Sequence, residues 1–253
     1  MATKINQLLR KWPPGTVAVQ SWLDEQGVDR RLSHQYAKAG WLERIGHGAY
    51  IRMGDTVTWR GAVFALQKKS VRSAIRPGGA TALSLQGFGH HLPLGKETLW
   101  LWAEPRSQLP SWFRHHDWGV VVRFRAARLF AHPVADQASQ KRDNFIIEVS
   151  SLERAAFEVA YEVDDTLSFL WAAEQLQSLV SLRPELMQTY FEACVSIKVK
   201  RLLLYLGSHY GLQWFERLNL SRIDLGRGKR QLVKGGRFDP RFEITVPRDL
   251  TDD

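Results

Sequence analysis

Gly27-Val-Asp-Arg-Arg-Leu-Ser-His-Gln-Tyr-Ala-Lys-Ala-Gly-Trp-Leu-Glu-Arg-Ile-Gly-His-Gly-Ala-Tyr-Ile-Arg52 is the stretch on which the reading of this chain turns. Gly27-Val28 marks a tight turn. Asp29 then stands where a helix wants its N-cap, with a carboxylate able to accept from the first free amides. The helix is expected to run to about Ala39 and to stop at Gly40. Projected on a helical wheel, Leu32, Tyr36 and Ala39 share one side and are expected to face inward. Arg30, His34 and Lys38 form an i, i+4, i+8 stripe on the other side, flanked by Arg31 and Ser33. No acidic residue follows Asp29 in this helix. Trp41–Ile45 and Ala49–Arg52 read as two strands around Gly46-His47-Gly48, a loop whose glycines suit a hairpin that needs positive φ.

Outward from this stretch, Ile5, Leu8 and Leu9 fall at helical spacing in a first helix that Pro13-Pro14-Gly15 ends. A second helix is expected over Val17 to Gln26, with Val19, Trp22 and Leu23 inward. Two short helices joined by a glycine turn match the helix-turn-helix plan, and a hairpin directly after them makes it winged. In that plan the third helix enters the major groove. Arg pairs bidentately with guanine, while Ser, His and Lys reach base edges or phosphates. The DNA-binding candidates are therefore Arg30, Arg31, Ser33, His34 and Lys38 on the helix, with Arg44, His47 and Arg52 on the wing. The alternatives at this point are a solvated basic helix face and an ordinary structural hairpin.

Charge agrees with a polyanionic partner. Thirty-five Lys and Arg against 26 Asp and Glu leave a formal +9 over 253 residues. Bound Lys and Arg displace counterions condensed on phosphates, so such an excess favours nucleic acid. A hydrophobic fraction of 44% supports a substantial core, yet no run approaches the roughly 20 apolar residues of a membrane span. The first residues, Met-Ala-Thr-Lys-Ile-Asn, carry no apolar signal core, so a cytoplasmic chain is expected. Cys194 is the single cysteine, which excludes an intrachain disulfide and argues against a thiolate zinc site.

Beyond Asp55 the pattern changes. Trp59–Ser73 and Ala80–Leu85 read as helices, and Leu99–Trp102, Val120–Phe124 and Phe145–Val149 as strands. The chain then turns helical from Ser151 to about Leu218, with Ser151 capping Leu152–Val163 and Pro184 in a first turn. A late strand, Phe242–Val246, is expected to return to the sheet. This order predicts an α+β protein: a winged helix-turn-helix over residues 1–55, then a larger mixed α/β domain over 56–253. Arg217–Arg241 holds eight basic and two acidic residues in loop-like sequence. Arg227, Lys229, Arg230, Lys234 and Arg237 thus form either a second phosphate-contacting or partner-facing surface or a solvated basic linker.

Gly27–Arg52 also resembles the N-terminal winged helix of AbiEi-type antitoxins. Trp59-Arg-Gly-Ala-Val-Phe-Ala-Leu-Gln67 and Gly78-Gly-Ala-Thr-Ala-Leu-Ser-Leu-Gln-Gly-Phe-Gly-His-His-Leu92 resemble the opening of that family's second domain. The resemblance extends to about residue 105 and is loose thereafter. It implies a repressor that binds inverted repeats in its own promoter. It also implies a functional partner, a nucleotidyltransferase toxin encoded beside it, which is counteracted without need of a stable complex (type IV). Operator DNA is the second implied partner, with a monomer in solution and two copies on the repeat.

His90-His91 and His115-His116-Asp117 invite a metal reading, but adjacent histidines in a strand face opposite ways and no helical i, i+4 pair exists. Asp143 with Glu148 lacks the lysine of a nuclease triad, because Ser150 stands there. Ser84 has no Gly-x-Ser-x-Gly setting, and there is no Walker A loop. No catalytic residue, metal or cofactor is expected. The alternative is a DNA-binding nuclease or metal-dependent hydrolase whose active site follows none of these patterns, and metal at His90, His91 or His115 would favour it.

Overall fold

A computed structural model describes residues 3–69, 75–89, 95–136, 138–142, 144–248 and 250. Helices and strands follow in the order α1 (Lys4–Lys11), β1 (Ala18–Val19), α2 (Gln20–Glu25), α3 (Arg30–Lys38), β2 (Leu42–Gly46), β3 (Ala49–Arg52) and α4 (Trp59–Lys69). Then come β4 (Arg76–Pro77), α5 (Gly79–Leu85), β5 (Thr98–Ala103), α6 (Ser111–His115), β6 (Val121–Ala126), β7 (Ala138–Arg142) and β8 (Phe145–Val149). The last part holds α7 (Leu152–Tyr161), α8 (Thr166–Gln177), α9 (Pro184–Ala193), α10 (Ile197–His209), α11 (Gln213–Glu216), β9 (Arg230–Gln231), β10 (Arg237–Asp239) and β11 (Ile244–Val246). The fold class is α+β, as the sequence predicts.

Contacts divide the chain into two compact units, neither of them continuous. The first takes residues 1–76, 95–126 and 139–148; the second takes 77–94, 127–138 and 149–253. Two glycines show how closely α4 and α6 pack on the segments that precede them. Gly61 of α4 presses its Cα against the Gly15 carbonyl, where no side chain fits. Gly46 of β2 lies against Trp112 of α6, whose Cβ would stand 2.6 Å from a Cβ built on that glycine.

In the first unit α1, α2 and α3 enclose a core of Ile5, Leu8, Trp12, Ala18, Leu23, Val28, Leu42 and Tyr50. Each large apolar side chain buried here stabilises by roughly 1.5–3 kcal/mol. The Trp12 indole N–H donates to the Thr16 carbonyl and hydroxyl, at 3.2 and 3.0 Å, so the buried ring leaves no polar group stranded. β1 is a short strand that the sequence reading missed, and it shortens α2 to begin at Gln20. It pairs with β3, Ala18 opposite Tyr50, giving a three-stranded antiparallel sheet in the order β1-β3-β2. Further along, β5 and β6 pair in parallel from Thr98↔Val121 to Ala103↔Ala126, with α6 in the crossover. Gln67 of α4 acts as a strand surrogate: its amide donates to the Glu148 carbonyl at 2.8 Å and accepts from the Glu148 N–H at 2.9 Å.

The second unit is mainly helical. Ser151 caps α7 through its hydroxyl, and Pro184 opens α9 at its first turn, both as expected. Three buried charges are matched by partners, as low dielectric demands. Glu158 accepts from the Gly79 amide, the Ser150 hydroxyl and Arg154 Nε at 2.8–3.0 Å. Glu153 is held by Arg183, and burial alone would raise its pKa. Arg183's side-chain and backbone hydrogen bonds outweigh that effect and pull it below the usual carboxylate range. Arg201 donates to the Leu225 and Gly228 carbonyls and ion-pairs with Glu243. The late strand does not return to the mixed sheet. Ile244 and Val246 are buried, and β11 lies between β10 and β9 in a small sheet of its own.

Candidate nucleic-acid interface

α3 is capped by Asp29, whose carboxylate accepts from the Leu32 amide at 2.7 Å. At the other end Ala39 is the C-cap and Gly40 has φ 73°. The Gly40 amide donates to the Ala37 carbonyl and the Trp41 amide to the Tyr36 carbonyl, a Schellman ending that turns the chain into β2. Ala39 therefore leaves the inner face and is exposed, and Ala37 takes its place beside Leu32 and Tyr36.

That inner face also includes Ser33, contrary to the sequence reading. Leu32, Ser33, Tyr36 and Ala37 are spaced i, i+1, i+4, i+5, so Ser33 points to the core and is 0% exposed. Its hydroxyl donates to Gln20 Oε1 at 2.9 Å and lies 3.3 Å from the Tyr50 hydroxyl. Gln20 completes the bridge by donating to Asp24 at 2.8 Å and to the Val28 carbonyl at 3.1 Å. Ser33 is thus a buried joint between α2, α3 and the hairpin, with no surface to offer a base.

Arg30, Arg31, His34 and Lys38 are exposed on the outer side of α3. Arg44 and His47 are exposed on the hairpin, where Arg44 Nε donates to the Gly46 carbonyl at 3.1 Å. A cleft of about 580 Å³ lies between them, lined by Arg30 and His34 from α3 and by Arg44 and His47 from the hairpin. Arg31 and Lys38 lie outside this lining. Gln20, Ser21 and Asp24 supply another side of it, and Pro110, Ser111 and Trp112 a further one. Sequence reasoning did not find these last three, because no local pattern links α6 to a helix some seventy residues earlier.

Arg52 departs from the expectation as well. Its guanidinium reaches the Leu9 carbonyl, one of the last four of α1 that have no intrahelical donor. It also packs 5.8 Å from the Trp12 ring centroid. Burial draws its pKa below the ordinary arginine value, while the neighbouring Asp55 carboxylate opposes the change. Its guanidinium is thus engaged with α1 and the Trp12 ring. The loop glycines divide their roles too: Gly48 has φ 65°, whereas Gly46 is required by the closeness of Trp112.

In the second unit Arg227, Lys229, Arg230, Lys234 and Arg237 are all exposed. The segment is not wholly loop: Arg230 and Arg237 sit on the strands flanking β11, which supplies their ladder. Lys229 Nζ lies 4.9 Å from the Phe238 ring centroid. Among the described residues no group of three or more His, Cys, Asp and Glu is arranged to hold a metal ion. His116 packs its ring 4.2 Å from that of Trp118, and His90, His91 and Asp143 lie outside the described residues. No helix among the described residues is long and apolar enough to cross a membrane.

A three-helix head with a capped, acid-free third helix and a small antiparallel sheet is consistent with a helix-turn-helix regulator. Two family matches make the class specific. Residues 1–94 match "Transcriptional regulator, AbiEi antitoxin N-terminal domain", and residues 96–247 match "Transcriptional regulator, AbiEi antitoxin, Type IV TA system". The chain belongs to the AbiEi family of antitoxins and transcriptional regulators, a description that names no enzyme activity. Among solved structures it resembles the RV2827C protein from Mycobacterium tuberculosis, with a TM-score of 0.57 and 14% identity, over 96% of this chain and 89% of that one. At that identity the likeness concerns the fold alone. No curated protein matches the chain.

Proposed function

We propose that this chain is a DNA-binding antitoxin and autorepressor, with a winged-helix head that reads inverted repeats in its own promoter. In this reading Arg30, Arg31, His34 and Lys38 of α3 face the major groove, and Arg44 and His47 of the hairpin meet the flanking backbone. The observation that carries it is the convergence of Arg30, His34, Arg44 and His47 on one concave face. A solvated basic helix would not require the hairpin's Arg44 and His47 to share its concavity. Two copies on an inverted repeat follow from one head per half-site.

The second role is to counteract a nucleotidyltransferase toxin encoded beside it, without a stable complex. Family membership supports this role. Arg227, Lys229, Arg230, Lys234 and Arg237 form a second phosphate-contacting surface, which the bending or bridging of an inverted repeat would use.

The test is an operator titration by gel shift with the Arg30→Ala, Arg31→Ala chain. Each lost base-reading contact is expected to cost about 1–3 kcal/mol. Unchanged affinity in the folded double variant removes α3 from the interface. The same variant, expressed beside the toxin from an independent promoter, is expected to protect cells still. Loss of protection would mean that DNA binding and neutralisation are one activity.

A further inference from the structure

The cleft between α3 and the hairpin is closed by a segment that lies outside the N-terminal family match. Pro110, Ser111 and Trp112, at the start of α6, line it together with Arg30, His34, Arg44 and His47. Their placement is rigid. Trp112 is 5% exposed and makes edge contacts with Phe113 and Trp118, at centroid distances of 5.6 and 6.3 Å. Trp118 is itself pinned by a 2.8 Å hydrogen bond from its indole N–H to the Phe113 carbonyl. The backbone of Gly46 rests on Trp112 so closely that even a methyl group is excluded. The hairpin's position against α3 is therefore set in part by α6.

The cleft's chemistry names its occupant. Two arginines and two histidines line it against one carboxylate, Asp24, which already accepts from Gln20 at 2.8 Å. A polyanion fits such walls and an apolar ligand does not. Ser111 is exposed where the lining reaches α6, and its hydroxyl can donate to a phosphate or sugar oxygen.

We propose that Pro110–Ser111 forms a third wall of the DNA-reading surface, with the backbone of double-stranded DNA seated on α3 and the hairpin passing against Ser111. This rests on the reading of the α3 face as the DNA interface. DNA recognition is then written in both family segments, residues 1–94 and 96–247. Residues of α6 belong to the reader, and Trp112 is a positioning residue that orients the hairpin.

The experiment uses the full chain and its promoter DNA. Ser111→Glu places a carboxylate against the phosphates and is expected to weaken binding at least about tenfold. Gln108→Glu makes the same charge change at an exposed residue lining a separate depression with Arg114 and Phe124. It is expected to stay within about twofold of wild type at physiological salt. Equal weakening by both substitutions, or by neither in folded chains, overturns the third wall. A second measurement does not depend on affinity. Cys194 is buried, so Ser111→Cys introduces the one accessible thiol, to which an iron chelate that cleaves DNA can be attached. Cleavage within the operator is expected, and its absence while the labelled chain is bound overturns the proposal. The Arg30→Ala, Arg31→Ala chain separates the two failures. If it loses binding and the Ser111 results are negative, α3 stands and the third wall falls. If it binds like wild type, the α3 face itself is wrong.

Discussion

The Ser33 hydroxyl donates to Gln20 Oε1 at 2.9 Å, joining α2 and α3 through a buried polar bridge. Through the Tyr50 hydroxyl, 3.3 Å away, the same serine touches the hairpin. The orientation of α3 within the head thus depends on a group that never reaches the surface. Ser33→Ala would leave Gln20 Oε1 without its donor. It is expected to lower unfolding stability by about 1–3 kcal/mol, read as a lower urea midpoint at unchanged slope. A midpoint equal to wild type would show that the bridge contributes nothing.

Arg44 and Arg52, opposite ends of one hairpin, should respond in opposite ways. Arg52→Ala deprives the Leu9 carbonyl of its donor and Trp12 of a packed guanidinium, and about 1.5–3 kcal/mol of stability should go with a charged hydrogen bond. Arg44→Ala should leave the urea midpoint within about 0.5 kcal/mol of wild type and weaken operator binding instead. Urea unfolding and gel shift on both variants decide this, and a stability loss confined to Arg44→Ala would reverse the assignment.

Salt dependence distinguishes a second DNA surface from a solvated one. Each neutralised phosphate contributes about −0.9 to the slope of log affinity against log salt. Replacing Arg227, Lys229, Arg230, Lys234 and Arg237 together by Ala should make that slope visibly shallower. These side chains are exposed, so the fold is expected to persist, with Arg201 still holding the Leu225 and Gly228 carbonyls beneath them. Parallel lines for the two proteins would remove this second surface from the DNA contact.

Cys194 supplies a prediction about pH. Burial pushes its thiol from an ordinary 9.0 up to about 11, against smaller opposing effects from the Ser196 backbone and Lys200. The unfolded thiol ionises first, so the contribution of this group is complete below about 9 and is lost as pH rises toward about 11. The stability difference between wild type and Cys194→Ala should therefore shrink between pH 8 and pH 11. A constant difference in urea midpoint across that range would contradict the assignment. Native protein should also resist thiol reagents at pH 8 until it unfolds.

Much of the head was legible because its signals are local. An aspartate before Arg30, a glycine after Ala39 and two apolar runs around Gly46-His47-Gly48 act within a turn or two of backbone. They specified α3 and the hairpin to within a residue. Ser151 and Pro184 worked likewise in the second unit. The exposed basic residues Arg30, Arg31, His34 and Lys38 lie on the side of α3 where a helical wheel puts them, and Arg44 and His47 are exposed on the hairpin. β1 escaped notice, since two residues carry no periodicity and gain their strand character only by pairing with β3.

Sequence alone thus determined the course of α3 and the hairpin and that the outer face of α3 is basic, because backbone preference and amphipathic spacing are local properties. Tertiary structure alone decided which polar side chains turn inward. Ser33 meets a partner 13 residues away and Arg52 one 43 residues away, and nothing in their neighbourhoods foretells either. It also decided that α4 and α6 complete the packing of the head, and that Ser111 and Trp112 close its cleft. Burying a polar group, or laying one backbone against a distant glycine, is favourable only once the matching surface exists, and that surface is assembled by the fold.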